Sequence, residues 1–326
     1  MEKTSRLVWI DWMKTLAMYF IIAGHCWVPG NKYIYVFSVP CFFILSGFLS
    51  KREDDDKLFW KKLLWNLIIP MCLYFAINIL VQFAVQIVKG TFELEFLYQA
   101  PFLAAIGMQG QNFAAGDLKA MWFVYTLIIC KILLQYVPVK GHKISLAVLS
   151  CVFLIAAWLL HKKEFVFYNS IVDVLLAMPF YTVGYYLRPM KEQLSRLTHK
   201  WMPLLIVVGI VGVWLCGQYN DIVMLYRCSF GSNLLLCIAG ALFGTVGIYA
   251  ISRLLKSYLS DFVSVIGGGG TLVILGLHFV IIQILNQFIS IRGIWLYVES
   301  FVILVAFIPV IIFIEKYVPV LYGKLR

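Results

Sequence analysis

Long apolar blocks, each about twenty residues, alternate along nearly the whole chain with short clusters of charge, glycine and proline. A block of that length spans a bilayer as one α-helix, because about 1.5 Å per residue covers a hydrocarbon core of about 30 Å. The pattern predicts ten such helices, at residues 7–28, 33–50, 63–88, 118–137, 144–160, 168–187, 201–217, 232–251, 262–284 and 293–315. No hydrophilic stretch is long enough for a soluble unit, so residues 1–326 read as one all-α integral membrane domain with both termini on the cytoplasmic side.

The polar positions inside these blocks change the picture most in the first helix, where Asp11, Lys14 and His25 interrupt "DWMKTLAMYFIIAGH". At about 100° per residue, Asp11 and Lys14 differ by about 60°, and Lys14 and His25 by about 20° after three turns. All three share one stripe, which must turn away from lipid because charge in hydrocarbon is costly. Lys14 lies near the inner end and His25 about 16 Å further out. A histidine suits general-base work near neutral pH, and a cation at that distance suits an anionic group at the other end of a long substrate. The structural alternatives are an Asp11–Lys14 pair that anchors the helix and a histidine satisfied by a neighbour.

Composition agrees with a membrane protein: 62% of residues are hydrophobic and 13% charged, with a mean hydropathy of +0.89. The net charge of +11 does not call for nucleic acid. Counting Lys and Arg, 18 fall in segments assigned to the inner side and 7 in outer ones, the positive-inside bias. The first apolar run is too long for a signal peptide and is expected to be retained. The eight cysteines are scattered without C-x-x-C spacing, which points to packing rather than disulfide or metal chemistry.

The connections are mostly short. The inner loop "KREDDDKLFWKK" mixes charges of both signs and reads as a solvated topology anchor. The exception in length, 89–117, is an outer loop rich in glycine and amides and long enough to shape a binding site. It contributes Gln111, Asn112 and Asp117, above an amide stripe of Asn78, Gln82 and Gln86 on the third helix. The stripe reads either as glue between helices or as a hydrogen-bonding wall for a sugar. Trp122 at the outer start of the next helix reads as an interfacial anchor or as a platform for a pyranose ring. Ser46 and Gly47 read as allowing close helix packing.

Lys14 and His25, separated by ten residues, resemble the Arg/Lys-x10-His signature of the acyltransferase-3 family of membrane O-acyltransferases. Further segments resemble family motifs in the same order: "FSVPCFFILSGFL" at 37–49, "LKAMWFVYTLI" at 118–128, "MPFYTVGYYL" at 178–187 and "GGGGTLVILGLH" at 267–278. The pattern is most similar to the small members related to fucose 4-O-acetylases. It differs from them in having Ser38 where they often have histidine, and in the Gly267–Gly270 run where a Gly-Lys-Asn-like stretch is usual.

The resemblance implies a multi-pass enzyme of the bacterial cytoplasmic membrane. It would move an acetyl group from acetyl-CoA to a hydroxyl of a surface saccharide or its lipid-linked precursor, with no tightly bound cofactor. His25 would be the general base or carry the acetyl group transiently. Lys14 would bind a donor phosphate, and Arg52, Lys61 and Lys62 at the inner rim are further phosphate candidates. His278 would orient an intermediate or bind substrate, unless it is a core histidine. The residues alone leave open a transporter using Asp11, Lys14 and His25 as a polar pathway, and a membrane scaffold. The acceptor sugar and the oligomeric state are not encoded in any of these features.

Overall fold

The computed structural model describes residues 6–108, 119–138, 142–163, 169–288 and 290–324. Fourteen α-helices run along these residues in the order α1 (Val8–His25), α2 (Asn31–Leu49), α3 (Asp56–Leu63), α4 (Ile69–Lys89), α5 (Phe96–Ala105), α6 (Trp122–Tyr136), α7 (His142–Lys162), α8 (Ser170–Leu187), α9 (Lys191–Arg196), α10 (Met202–Tyr219), α11 (Leu234–Leu255), α12 (Ser260–Val265), α13 (Thr271–Phe288) and α14 (Trp295–Tyr317). Two are joined to their successors through π-helical turns, Leu64–Ile68 between α3 and α4 and Ile266–Gly270 between α12 and α13. No strand occurs among the described residues, only two isolated bridges, Met108–Asn169 and Met224–Ser229. This is an all-α integral membrane protein.

Among the described residues, eight helical runs are long and apolar enough to cross a membrane. The other two expected spans fall short for different reasons. The helix α1 is 18 residues long but carries Asp11 and Lys14, and α6, at 15 residues, starts later than hydropathy suggested because residues 119–121 form a 3-10 turn. The third and ninth expected spans extend inward, through the π turns, into short segments that end the runs at Asp56 and Ser260.

The helix α2 is central. It meets α8 so closely that a side chain on Gly47 would collide with the Tyr181 carbonyl, and one on Gly184 with the Ile44 carbonyl. The two backbones touch, which only hydrogen at the Cα position permits. On its other sides α2 packs against α1, α10 and α11. The helix α1 is gripped between α2, α11, α13 and α14, and 12 of its 18 residues are buried. Asparagine side chains cap the outer starts of α8 and α11: Asn169 accepts from the Ile171 amide, and Asn233 from those of Leu235 and Leu236.

The loop expected as a solvated anchor is largely exposed, and within it Arg52 and Glu53 are bound to the end of α6. Arg52 donates to the Val137 carbonyl at 2.6 Å, and Gln135 receives from the Glu53 amide and donates to its carbonyl. Glu53 in turn pairs with Lys62 at 2.9 Å and with Lys51 at 3.8 Å. On the same side, buried Arg253 reaches the carbonyls of Leu194 and Leu197 and fixes the segment after α8.

Candidate active site

The polar stripe of α1 faces the helical run from the π turn through α13. Lys14 Nζ donates to the Gly267 carbonyl at 2.8 Å. Asp11 packs against Gly267 so tightly that any side chain there would strike its carboxylate and backbone. At the other end the His25 ring lies 5.1 Å from that of His278 and 5.3 Å from that of Phe279, centre to centre. The two helices run parallel and their contacts keep step, since Gly267 to His278 spans the same eleven positions as Lys14 to His25.

Asp11 does not pair with Lys14. Its Oδ2 lies 2.6 Å from Arg6 Nε, and Arg6 also donates to the Ser264 carbonyl at 2.5 Å. Arg6 precedes the helix, so a pairing rule based on helical neighbours misses it. Relieved of Asp11, the ammonium of Lys14 has the Gly267 carbonyl as its one hydrogen-bond partner among the described residues.

His278 is fully buried. Its Nδ1 lies 2.7 Å from the Ile274 carbonyl, one turn earlier on the same helix. A carbonyl only accepts, so this contact assigns the proton to Nδ1 and leaves Nε2 with a lone pair. That Nε2 is buried with no hydrogen-bond partner among the described residues. An unsatisfied buried acceptor is costly, and here it sits beside the ring of His25, which is itself partly accessible. The arrangement places two imidazoles side by side at one depth, able to take or relay a proton.

Two cavities lead toward this level from the Lys14 end of the stripe. The first, about 330 Å³, is lined by Lys51, Glu53, Lys62, Asn66, Ser50, Lys131 and Tyr181 among others. The second, about 220 Å³, is lined by Lys14, Ser46, Ser50, Phe42, Phe123, Lys131 and Leu275 among others. They share Leu49, Ser50, Leu67 and Lys131, so they meet at one throat. At that throat Lys131 donates to Ser50 Oγ at 3.0 Å and the Tyr181 hydroxyl donates to the same oxygen at 2.7 Å. The Ser50 hydroxyl directs its own proton to the Ser46 carbonyl. The outward end of the second cavity, at Phe42, Phe123 and Leu275, lies one helical turn below His278.

The other residues singled out in the sequence scatter. Lys62 lines the first cavity. Lys61 is exposed, and Arg52 is committed to Val137 beside a separate acidic cleft that includes Glu53, Asp54, Asp55 and Asp56. Asn78 donates to the Gly276 carbonyl at 3.1 Å and Gln82 to Gln283 Oε1 at 2.9 Å, so these amides join α4 to α13. Trp122 is buried among Phe43, Phe123 and Tyr226. Gln111, Asn112 and Asp117 lie outside the described residues. Sequence reading passed over Lys131, Ser50, Tyr181 and Lys51. The signal for Lys131 was a lone cation in the apolar run "TLIICKILL".

Compared with known families, residues 7–315 match the family model Acyl_transf_3, described as an acyltransferase domain. No curated protein and no solved structure matches the chain.

Proposed function

Because this chain belongs to the acyltransferase-3 family of membrane acyltransferases, we propose that it moves an acetyl group from cytoplasmic acetyl-CoA to a saccharide hydroxyl. The acceptor is a surface glycan or its lipid-linked precursor, as in the fucose O-acetylase-like members that the sequence resembles, and the enzyme resides in the cytoplasmic membrane. The observation that carries this reading is the matched register of α1 and α13. It sets a cation over a cavity leading from the inner side and a histidine pair about 16 Å further out.

In this mechanism the donor enters from the Lys51 and Lys62 side and extends along the joined cavities, with its thioester toward His25. His25 removes the proton of the acceptor hydroxyl as the oxygen attacks the thioester carbonyl. The tetrahedral intermediate collapses with loss of the CoA thiolate, which takes up the proton that the histidine had held. His278, through the Nε2 lone pair, accepts a hydrogen bond from the acceptor or from the proton in flight. Asp11 and Arg6 act on the scaffold, holding the inner end of α1 against the π turn.

The test is transfer of labelled acetyl from acetyl-CoA by purified protein, with His25→Ala and His25→Gln compared at equal folded concentration. Loss of transfer with donor binding retained is expected. Near-normal turnover in both variants would sink the assignment, and absence of transfer and of acetyl-CoA hydrolysis in the wild type would favour a transporter.

A further inference from the structure

Four lysines line the two joined cavities, but their electrostatic circumstances differ. Lys51 and Lys62, toward the inner rim, share the one carboxylate of Glu53, at 3.8 Å and 2.9 Å. Lys14 and Lys131, deeper in, take part in no ion pair among the described residues, and each has a single neutral hydrogen-bond partner, the Gly267 carbonyl and Ser50 Oγ. Both face the same cavity of about 220 Å³. An ammonium group holds three donors, so each retains capacity for a ligand. Neither has a carboxylate in contact, those of Asp11 and Glu53 acting on Lys14 and Lys131 from further off, and an ammonium at membrane depth loses hydration. A site of this kind is stabilised by an anion between them.

We propose that Lys131, with Lys14, forms a two-cation seat for the phosphate group of the donor, placed inside the membrane at the throat of the two cavities rather than at the inner rim. The seat rests on the acetyl-CoA reading above and adds to it a residue and a position. Ser50 and Tyr181 hold Lys131 in place, since the serine oxygen receives both the ammonium and the phenol. The rim lysines, already paired, guide the donor by their field and carry less of its affinity. With a phosphate at the level of Lys14, the arm of the donor points along α1 toward His25. The same geometry explains why α6 carries a cation in its inner half, where an anchoring lysine would sit at the helix end.

The experiment measures binding of CoA and of pantetheine, which lacks phosphate, to wild type, Lys131→Ala and Lys131→Arg in phosphatidylcholine nanodiscs. Removing one charge-assisted hydrogen bond to a phosphate corresponds to roughly a tenfold to hundredfold weaker Kd. Lys131→Ala is expected to show that weakening for CoA, to leave pantetheine binding within about twofold, and to be largely rescued by Lys131→Arg. Equal losses for both ligands would assign Lys131 to packing and overturn the proposal, as would unchanged CoA binding in Lys131→Ala. Competition by added phosphatidylglycerol in wild type but not in Lys131→Ala would assign the seat to a lipid phosphate and overturn it too. A wild type that binds neither ligand would overturn the donor reading itself, which separates that failure from the failure of the seat.

Discussion

His25 and His278 stand with ring centres 5.1 Å apart, and eleven positions inward on each helix Lys14 holds the carbonyl of Gly267. Two parallel helices thus carry a doubled mark, polar contact at the floor and imidazole at the roof. The pairing joins residues about 250 positions apart in the chain, so its two ends report on one rigid interface.

Replacement of His278 separates its two nitrogens. In His278→Asn the amide can still donate to the Ile274 carbonyl while the Nε2 position is vacated; in His278→Gln the polar group is placed nearer Nε2. General acid–base contributions are typically about 10²-fold or more. The expected outcome is a fall in kcat on the order of a hundredfold for the Asn variant, a smaller fall for Gln, and an unchanged donor KM in both. Equal kcat values in the two variants, both near wild type, would assign His278 to packing.

The Arg6–Asp11 pair is half in solvent and half buried, with side-chain exposures of 50% and 7%. Exposed pairs contribute up to about 1 kcal/mol, and breaking buried ones costs several. Asp11→Asn is expected to lower stability by about 1–2 kcal/mol, read as a lower Tm in detergent. Donor affinity should stay within a few-fold, because Lys14 is held by Gly267 rather than by Asp11. A donor affinity that falls with no change in Tm would contradict the scaffold role.

At the α2–α8 crossing there is no room for a methyl group on either glycine. Ordinary overpacking costs about 1–3 kcal/mol, and here the obstacle is backbone that cannot rotate aside. Gly47→Ala and Gly184→Ala should each lose more than that, seen as poor recovery of monodisperse protein. Normal recovery of either variant would show that the helices can separate.

Cys228, in the outer loop between α10 and α11, is buried, and its thiol is pushed up to about 12, chiefly by burial and then by the nearby Asp173 carboxylate. The thiolate is the reactive form. Near pH 7.5 its thiolate fraction is on the order of a thousandfold below that of an ordinary thiol, so alkylation in the folded protein should stay far slower than that of an ordinary thiol, while climbing about tenfold per pH unit through 8–9 with no plateau. Mass spectrometry after maleimide treatment should find Cys228 unmodified in the folded protein and modified only on heating. Early modification of Cys228 would contradict its burial.

The helices and the stripe on α1 were legible because both rest on local periodicity, apolar length in one case and about 100° per residue in the other. What the stripe faces was not legible. Gly267 and His278 are placed by the winding of a distant helix, and no local rule links position 14 to position 267. Gly47 was readable as a packing element, since small residues in a membrane helix have few other uses, whereas Ser46, read with it, lines the second cavity. Asp11 misled, because its true partner lies before the helix in a segment without periodicity. Lys131 was hidden by being alone: one cation in an apolar run carries no spacing, and its meaning comes from the cavity that it shares with Lys14.

The glycine-rich turn at Ile266–Gly270 has a bearing on how this chain tolerates change. A π turn accommodates one residue more than α-helical winding would, and each residue of an α-helix advances its face by about 100°. Deleting one glycine there would let the turn relax to ordinary winding with what lies below and what lies above still in phase. A second extra residue, which the turn is already too full to absorb, would instead rotate one part against the other by about a quarter revolution. The carbonyl under Lys14 and the imidazole beside His25 could then no longer both point at α1, so the chain tolerates loss at this turn better than gain.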